Sequence, residues 1–330
     1  MPQLRQNIIT RDWVVIAPER AKRPSDFVSD RTRVKHDIDE EDVFALDSNS
    51  YRTRYSDFET SRVYIMPNKF PAFIESHADI SPRSHKVEDG FYRVRPAVGG
   101  HDVVVIKDAE TSVPDFDLET WHDLFLAFQW RYDHFVKEDR DIYVMPIYNH
   151  RPEAAASIWH PHAQIFCSPV IPNIVAKELH HAQKYYELQG ASPFADMLNH
   201  ELEEKIRIIA ENKDFVAFTF FAARFPFEIW ILPREHRSSF AAVPKSELQN
   251  LSRICVEVFG RLDKVLHDPP LNFYIHSAPA SCGDAAYYSW HFEIGPRLSN
   301  YGGFELGAGM VIDIVSPEKA AMYLKGIETD

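Results

Sequence analysis

His160-Pro161-His162-Ala163-Gln164 and Ser289-Trp290-His291-Phe292-Glu293 are the two stretches that decide the fold. In an extended strand, residues i, i+2 and i+4 share one face. His160, His162 and Gln164 therefore project together, while Pro161 and Ala163 turn away. In the second stretch Ser289, His291 and Glu293 share a face, and Trp290 and Phe292 turn toward a core. Both strands carry histidine at the same place. The first keeps a full polar face and the second has partly lost it. The pair reads as a duplicated unit with one working strand.

The surroundings repeat as well. An apolar run, His101-Asp102-Val103-Val104-Val105-Ile106, is followed by a helical pattern and then by Tyr143-Val144-Met145-Pro146-Ile147-Tyr148-Asn149. The second run, Phe227-Glu228-Ile229-Trp230-Ile231-Leu232-Pro233, is followed by another helical pattern and by Phe273-Tyr274-Ile275-His276. Trp121, Leu124, Phe125, Phe128, Tyr132 and Phe135 fall at helical spacing, as do Leu248, Leu251, Ile254, Cys255, Val258, Leu262 and Leu266. Asp117 is placed to cap the first helix, and Pro269-Pro270 follows the second. Two β-α-β-β units of similar length predict an α+β fold in two halves, each a mostly antiparallel sheet with packed helices. The halves are expected at residues 1–168, with the His-Pro-His strand, and 169–330.

A chain of 330 residues buries a large core as one or two domains. No apolar run approaches the roughly 18 residues of a membrane span. Met1-Pro2-Gln3-Leu4-Arg5 lacks the apolar core of a secretory signal. The three cysteines, Cys167, Cys255 and Cys282, have unrelated spacings and form neither a disulfide framework nor a metal knuckle. A cytoplasmic location is expected. With 49 acidic against 36 basic residues, the net charge of −13 argues against a nucleic-acid partner. Local cations do occur, in Glu19-Arg20-Ala21-Lys22-Arg23-Pro24 after an apolar run. Arginine forks suit phosphate oxygens, although a solvated basic turn is the commoner outcome. Residues 28–60 are polar, lack periodicity, and read as a long loop.

The chemistry centres on His162. A neutral imidazole is a competent nucleophile near neutral pH, its ordinary pKa being about 6.5. Attack on phosphorus would give a covalent intermediate that divides one hard transfer into two easier ones. It needs one ring nitrogen aimed at the substrate and the other held by an acceptor, for which a backbone carbonyl of the same strand would serve. Gln164 offers an amide donor to a phosphoryl oxygen. Ala154-Ala155-Ala156-Ser157 is a small-residue approach with a hydroxyl at its end, and such fixed donors supply much of catalysis. Two other readings stand beside this one. His160 and His162 could both ligate zinc, with Glu178, His276 or His291 completing a site. The strand could also be purely structural.

Taken together these runs resemble the galactose-1-phosphate uridylyltransferase family of the histidine-triad superfamily. The resemblance rests on Trp13 to Pro24, on Asn68-Lys69-Phe70-Pro71, and on Asn149, Ser157 and His160 to Gln164. It continues through Phe225-Pro226-Phe227-Glu228, Leu232 to His236, Trp290 to Arg297, and Gly303-Phe304-Glu305-Leu306-Gly307. It implies a duplicated histidine-triad-like fold and ping-pong transfer of a nucleoside monophosphate through His162, with His160 beside it. Gln164 and Ser157 would hold phosphoryl oxygens, Arg20 and Arg23 the diphosphate, and Asn68 and Asn149 further parts of the nucleotide or its phosphates. Phe304 and Glu305 fall where hexose is contacted. The partners implied are a nucleoside diphosphate sugar, a sugar 1-phosphate or phosphate, and a second copy of the chain in a homodimer.

Three departures narrow the resemblance. The family's structural zinc site uses a Cys-x-x-Cys pair and two histidines. Here Asp42-Val43-Phe44-Ala45 and Glu110 stand at those places with only His160 kept, so no structural zinc is expected; Glu110 is instead expected to accept a hydrogen bond from His160. The family's second metal site retains Glu178, His276 and His291, but Ser289 replaces its third histidine. That leaves a degenerate zinc or iron site. Val311 stands where a hexose-contacting glutamine is found, and Gly307-Ala308-Gly309 leans toward relatives that use phosphate as acceptor. The matching runs still favour a hexose-1-phosphate uridylyltransferase, with the departures putting galactose 1-phosphate as acceptor in doubt. An adenylyl phosphorylase acting on ADP-glucose or adenylyl sulfate is the enzyme alternative, and a nucleotide-binding protein without turnover is the alternative outside enzymes.

Overall fold

The computed structural model describes residues 1–18, 42–75, 91–92, 94–138 and 142–327. Nine strands form one antiparallel sheet in the order β3-β4-β6-β5-β10-β11-β9-β8-β7. They are β3 (Val63–Pro67), β4 (Gly100–Ile106), β5 (Tyr143–His150), β6 (His162–Ser168), β7 (Ile208–Glu211), β8 (Phe215–Thr219), β9 (Ile229–Pro233), β10 (Leu271–His276) and β11 (His291–Pro296). Read outward from the middle, β5-β6-β4-β3 on one side mirrors β10-β11-β9-β8 on the other. The expected duplication is therefore visible as one sheet built from two equivalent halves. They meet where β5 pairs with β10, Asn149 opposite Asn272 and Tyr148 opposite Phe273. A second sheet of three strands joins β1 (Gln3–Gln6), β2 (Trp13–Ile16) and β12 (Ile312–Asp313), the last pair parallel.

Alternation assigns the two faces of the large sheet. Ala163, Ile165 and Cys167 of β6, Phe273 and Ile275 of β10, and Phe292 and Ile294 of β11 all point into the main core. That core is closed by helices α1 (Leu118–Glu138) and α4 (Lys245–Leu266), the two read from period. Asp117 caps α1 by accepting the Thr120 N–H at 2.8 Å. Trp121 at the start of α1 lies against Phe259 of α4 and Phe273 of β10, so one side chain ties the halves together. β4 enters this packing through Gly99 and Gly100. A Cβ on Gly99 would lie 1.9 Å from the Cys167 carbonyl oxygen, and one on Gly100 would lie 2.1 Å from the Phe135 ring.

The opposite face carries the polar set, and the halves treat it differently. Over the second half, α2 (Asn173–Gln189) and α3 (Pro193–Glu204) pack on Trp230, Phe218 and Tyr288 and bury it. Over the first half, the described covering is a small cluster in which Phe44, Tyr51 and Ile158 lie on Tyr64, Met66, Val103 and Val105. No helix among the described residues covers His162. Of the stretch expected as a loop, residues 42–60 are described and contain turns, the short 3-10 turn Tyr51–Thr53 and an isolated bridge from Glu59 to Tyr64; residues 28–41 lie outside the described residues. Beyond β11 the chain forms the short helix α5 (Gly303–Ala308) and ends in α6 (Pro317–Leu324). No described helix is long and apolar enough to cross a membrane.

Candidate active site and buried His-Glu cluster

His162 opens β6 directly after Pro161, which has no N–H to offer the ladder. Its side chain is nearly enclosed, at 8% exposure. Nδ1–H donates to the backbone carbonyl of His160 at 2.8 Å. A carbonyl only accepts, so the proton is fixed on Nδ1 and the lone pair of Nε2 faces outward. Burial lowers the His162 pKa, outweighing the bond to the His160 carbonyl that favours the charged form, and so favours the neutral ring. This is the state and tautomer a nucleophile requires.

The remaining polar groups are oriented by partners that the sequence reading did not single out. Gln164 Oε1 accepts from His101 Nε2 at 2.8 Å, and His101 Nδ1 accepts the Ala72 N–H at 3.1 Å. The second bond requires an unprotonated Nδ1, so the first has a definite direction. It uses the oxygen of Gln164, and no described residue bonds its NH2 group, which lies on the His162 face. Burial lowers the His101 pKa, in keeping with a neutral ring, which stacks on Phe166 with centroids 4.0 Å apart. Asn68 lies beside it, Nδ2 at 3.2 Å from His101 Nε2, with its Oδ1 accepting the Phe70 N–H. Asn149 follows the same logic. Asn272 Nδ2 donates to Asn149 Oδ1 and to the Ala154 carbonyl, both at 2.8 Å, and no described residue bonds the Asn149 NH2. Extending the β5–β6 register by one step sets Asn149 opposite His162.

The approach loop is pinned to the second half of the molecule. His150 Nε2 and Arg151 Nη1 both lie 2.6 Å from carboxylate oxygens of Asp268. Burial works against the Asp268 charge, yet the His150 hydrogen bond and contact, with the Arg151 guanidinium, hold its pKa below the ordinary range. Arg151 and Ala155 adopt positive φ, at 72° and 68°, and fold the loop back so that Ser157 is presented at the surface. Thus His162, Gln164, Asn149 and Asn68 are gathered on one sheet face and its rim, with Ser157 on the loop leading into β6. Phe304 and Glu305 share no hydrogen bond or ring contact with this set among the described residues. They lie on α5, past β11, three strands from β6; Phe304 is 51% exposed, and Glu305 accepts the Gly302 N–H. Arg20 and Arg23 lie outside the described residues.

At His160 the structure corrects the sequence reading. Glu110 is exposed and does not meet the ring. Asp42 does, with both carboxylate oxygens 2.9 Å from His160 Nδ1, while Nε2–H donates to the Ile106 carbonyl at 2.6 Å. Glu110 sits in the turn after β4 and bonds through its own N–H to Asp108. The turn that starts at Asp42 passes directly over the ring. Both ring nitrogens are engaged by acceptors, and the described surroundings offer no set of soft ligands for a zinc ion.

The second half contains a buried cluster of Glu178, His276, His291 and Glu293 whose ligand atoms lie within 4.8 Å of one another. Glu293 completes it from the strand position two after His291, which answers the loss of histidine at Ser289. His276 Nδ1 is 3.1 Å from Glu178 and 3.4 Å from Glu293, and His291 Nε2 is 3.9 and 3.2 Å from the same carboxylates. A tetrahedral ion with bonds of about 2.0–2.2 Å needs ligand atoms roughly 3.3–3.5 Å apart, and these distances straddle that value. The outer partners also fit. His291 Nδ1–H donates to the Ser289 carbonyl, Tyr288 to Glu178, and Tyr274 and Arg224 to Glu293. Burial alone would keep His276 neutral, but Glu178 and Glu293 outweigh it and raise its pKa. Glu293 is held well below the ordinary range by Arg224 and the two histidines despite its burial. A proton on His276 and a divalent cation are thus alternative ways to balance the same carboxylates.

Comparison with known proteins bears on this site as a whole. Residues 1–172 match the family described as galactose-1-phosphate uridyl transferase, N-terminal domain, and residues 178–325 match its C-terminal domain. An ADP-glucose phosphorylase from Arabidopsis thaliana is 29% identical over 99% of this chain and 93% of its own. A galactose-1-phosphate uridylyltransferase from Thermotoga maritima is 26% identical over the full length of both. Among solved structures, the Arabidopsis thaliana ADP-glucose phosphorylase with bound ADP-glucose superposes with a TM-score of 0.82 at 27% identity, covering both chains completely. A uridylyltransferase structure gives 0.76 at 25% identity, over 99% of this chain and 98% of that one.

Proposed function

We propose that this chain, which belongs to the galactose-1-phosphate uridylyltransferase family and is a nucleotidyltransferase, works by ping-pong transfer through His162. The observation that carries the proposal is the bond from His162 Nδ1–H to the His160 carbonyl at 2.8 Å. Nε2 attacks the α-phosphorus of a nucleoside diphosphate sugar, an N–P bond forms, and the P–O bond to the leaving sugar 1-phosphate breaks. The ring becomes cationic as it is substituted, and the His160 carbonyl on Nδ1–H stabilises that charge. An oxygen of the acceptor then attacks the same phosphorus and the N–P bond breaks. The NH2 groups of Gln164 and Asn149, which bond no described residue, and the Ser157 hydroxyl are donors for phosphoryl oxygens; fixed donors of this kind need no reorganisation during reaction. Arg20 and Arg23 are assigned to the diphosphate, and Asn68 to the nucleotide.

Two donor and acceptor pairs are supported. Uridylyl transfer from UDP-glucose to a hexose 1-phosphate follows the family description and the Thermotoga maritima relative. Adenylyl transfer from ADP-glucose to phosphate is favoured by the likeness to the Arabidopsis thaliana phosphorylase, in sequence and in structure, and by Val311 and Gly307-Ala308-Gly309. Phe304 is 51% exposed on the short helix α5, which would suit a homodimer in which α5 serves the partner's site. The halves 1–168 and 169–330 would then differ in role, the first holding the nucleophile. Glu178, His276, His291 and Glu293 would hold a zinc or iron ion, whose contribution there is to cross-link α2, β10 and β11. Intact-mass spectrometry after separate incubation with UDP-glucose, ADP-glucose and adenylyl sulfate decides the donor, since the added mass names the nucleotide. An unchanged mass with all three would overturn the proposal.

A further inference from the structure

Asp42 belongs to no strand or helix, yet it is tied to the nucleophile from two directions. Its carboxylate binds His160 Nδ1 through both oxygens at 2.9 Å, and His160 Nε2–H is bound in turn by the Ile106 carbonyl. The same carboxylate accepts the Phe44 N–H at 3.0 Å. Phe44 is buried, its carbonyl accepts the Tyr64 hydroxyl at 2.7 Å, and its ring stands edge-on to His160 and to His162, with centroids 5.7 and 5.3 Å away. His160 supplies the carbonyl that holds the His162 proton. One carboxylate therefore sets both the backbone that fixes the tautomer of His162 and the wall against which its ring rests.

We propose that Asp42 is a positioning residue for the nucleophile, acting through the His160 ring and the Phe44 turn. The inference rests on His162 being the attacking group. The Asp42–His160 contact is charge-assisted, and such bonds are about twice as strong as neutral ones. Removing the carboxylate leaves the buried Nδ1–H without an acceptor, which drives the ring and its backbone to rearrange. The tautomer of an unrestrained imidazole in water is mainly Nε2–H. That form has no lone pair on the nitrogen that faces the substrate. Loss of the His160 carbonyl from its place thus removes nucleophile rather than binding surface.

The test uses Asp42→Ala and the isosteric Asp42→Asn, which keeps an acceptor for the Phe44 N–H. Nitrogen NMR of the 15N-histidine-labelled free protein reads the His162 tautomer, assigned by comparison with His162→Asn. Rapid-quench single turnovers with UDP-glucose and ADP-glucose read the rate constant and amplitude of adduct formation. The wild type should show Nδ1–H at His162, Asp42→Ala a mixture with Nε2–H, and Asp42→Asn, whose Oδ1 still accepts, a smaller admixture. In Asp42→Ala the rate constant should fall about ten-fold or more while donor affinity changes less than about three-fold, as expected for lost orientation, and Asp42→Asn should lie between it and wild type. Asp42→Glu should recover part of the rate. An unchanged tautomer with an unchanged rate constant overturns the proposal. So does a lower amplitude at the wild-type rate constant, because a residue needed only for folding reduces the active fraction and not the rate. Absence of any adduct in the wild type would count against the proposed function instead, and the tautomer comparison would still decide the role of Asp42.

Discussion

Replacing His101 with phenylalanine tests whether the free amide of Gln164 is a working part of the site. Phenylalanine keeps the ring that stacks on Phe166 and removes both nitrogens, so Gln164 loses the donor at 2.8 Å that fixes its orientation. A net hydrogen bond of this kind is worth about 0.5–1.5 kcal/mol, which corresponds to roughly 2- to 13-fold in rate if the bond acts only by directing the amide. Deleting the amide itself with Gln164→Ala sets the larger limit, since one fixed donor to a developing negative charge contributes about 10²–10³ in rate. The assay is the rapid-quench rate constant for nucleotidylation, measured for both single variants and the double variant. His101→Phe should fall between wild type and Gln164→Ala, and should add nothing in the Gln164→Ala background. A wild-type rate for His101→Phe refutes the reasoning, as does full additivity in the double variant, because either result means that His101 does not act through Gln164.

Three further outcomes follow from the geometry. Because burial lowers the His162 pKa, the ring stays unprotonated into more acid solution than an ordinary histidine, so the acid limb of kcat/KM should lie below pH of about 6.5; a limb at or above that value would contradict it. The same shift contributes stability that is present above the unfolded-state pKa and is lost as pH falls through the folded one. Glu293→Gln should reduce zinc or iron content in elemental analysis of protein purified without chelator, while Ser289→Ala should not; equal metal content in all three would remove Glu293 from the site. Trp121→Ala should destabilise the fold by about 3–5 kcal/mol in denaturant titration, since the side chain is fully buried between the halves, and a loss under about 1 kcal/mol would contradict that packing.

Strands and helices with a strict period were legible without coordinates. β6 and β11 declare themselves by alternation, and α1 and α4 by apolar residues at helical spacing. The pairing of β5 with β10, which makes one sheet of two halves, has no such mark, because antiparallel contact between distant strands leaves nothing in the local pattern. Among site residues, the Nδ1 acceptor of His162 was foreseen as a backbone carbonyl of the same strand; it is a backbone carbonyl, but that of His160, in the bend just before β6. The partner of His160 was assigned to Glu110 and is Asp42, because which carboxylate reaches a ring depends on how two loops cross. Glu293 was visible on the same strand face as His291, and its part in the cluster emerges only when α2 delivers Glu178. Asn272 and His101 each offered a signal as a polar residue beside apolar ones, but their task is to orient another amide. Such tasks are set by distances across strands rather than by spacing along one.

The most direct measurement is the chemical identity of the covalent intermediate. Protein incubated with radiolabelled UDP-glucose or ADP-glucose, quenched and digested, should yield one labelled peptide containing His162. Its linkage should be labile in acid and stable in base, as a phosphoramidate is, and His162→Ala should give none and lose transfer by orders of magnitude. A base-labile adduct on a carboxylate, a label on another residue, or near-normal transfer by His162→Ala would contradict the account.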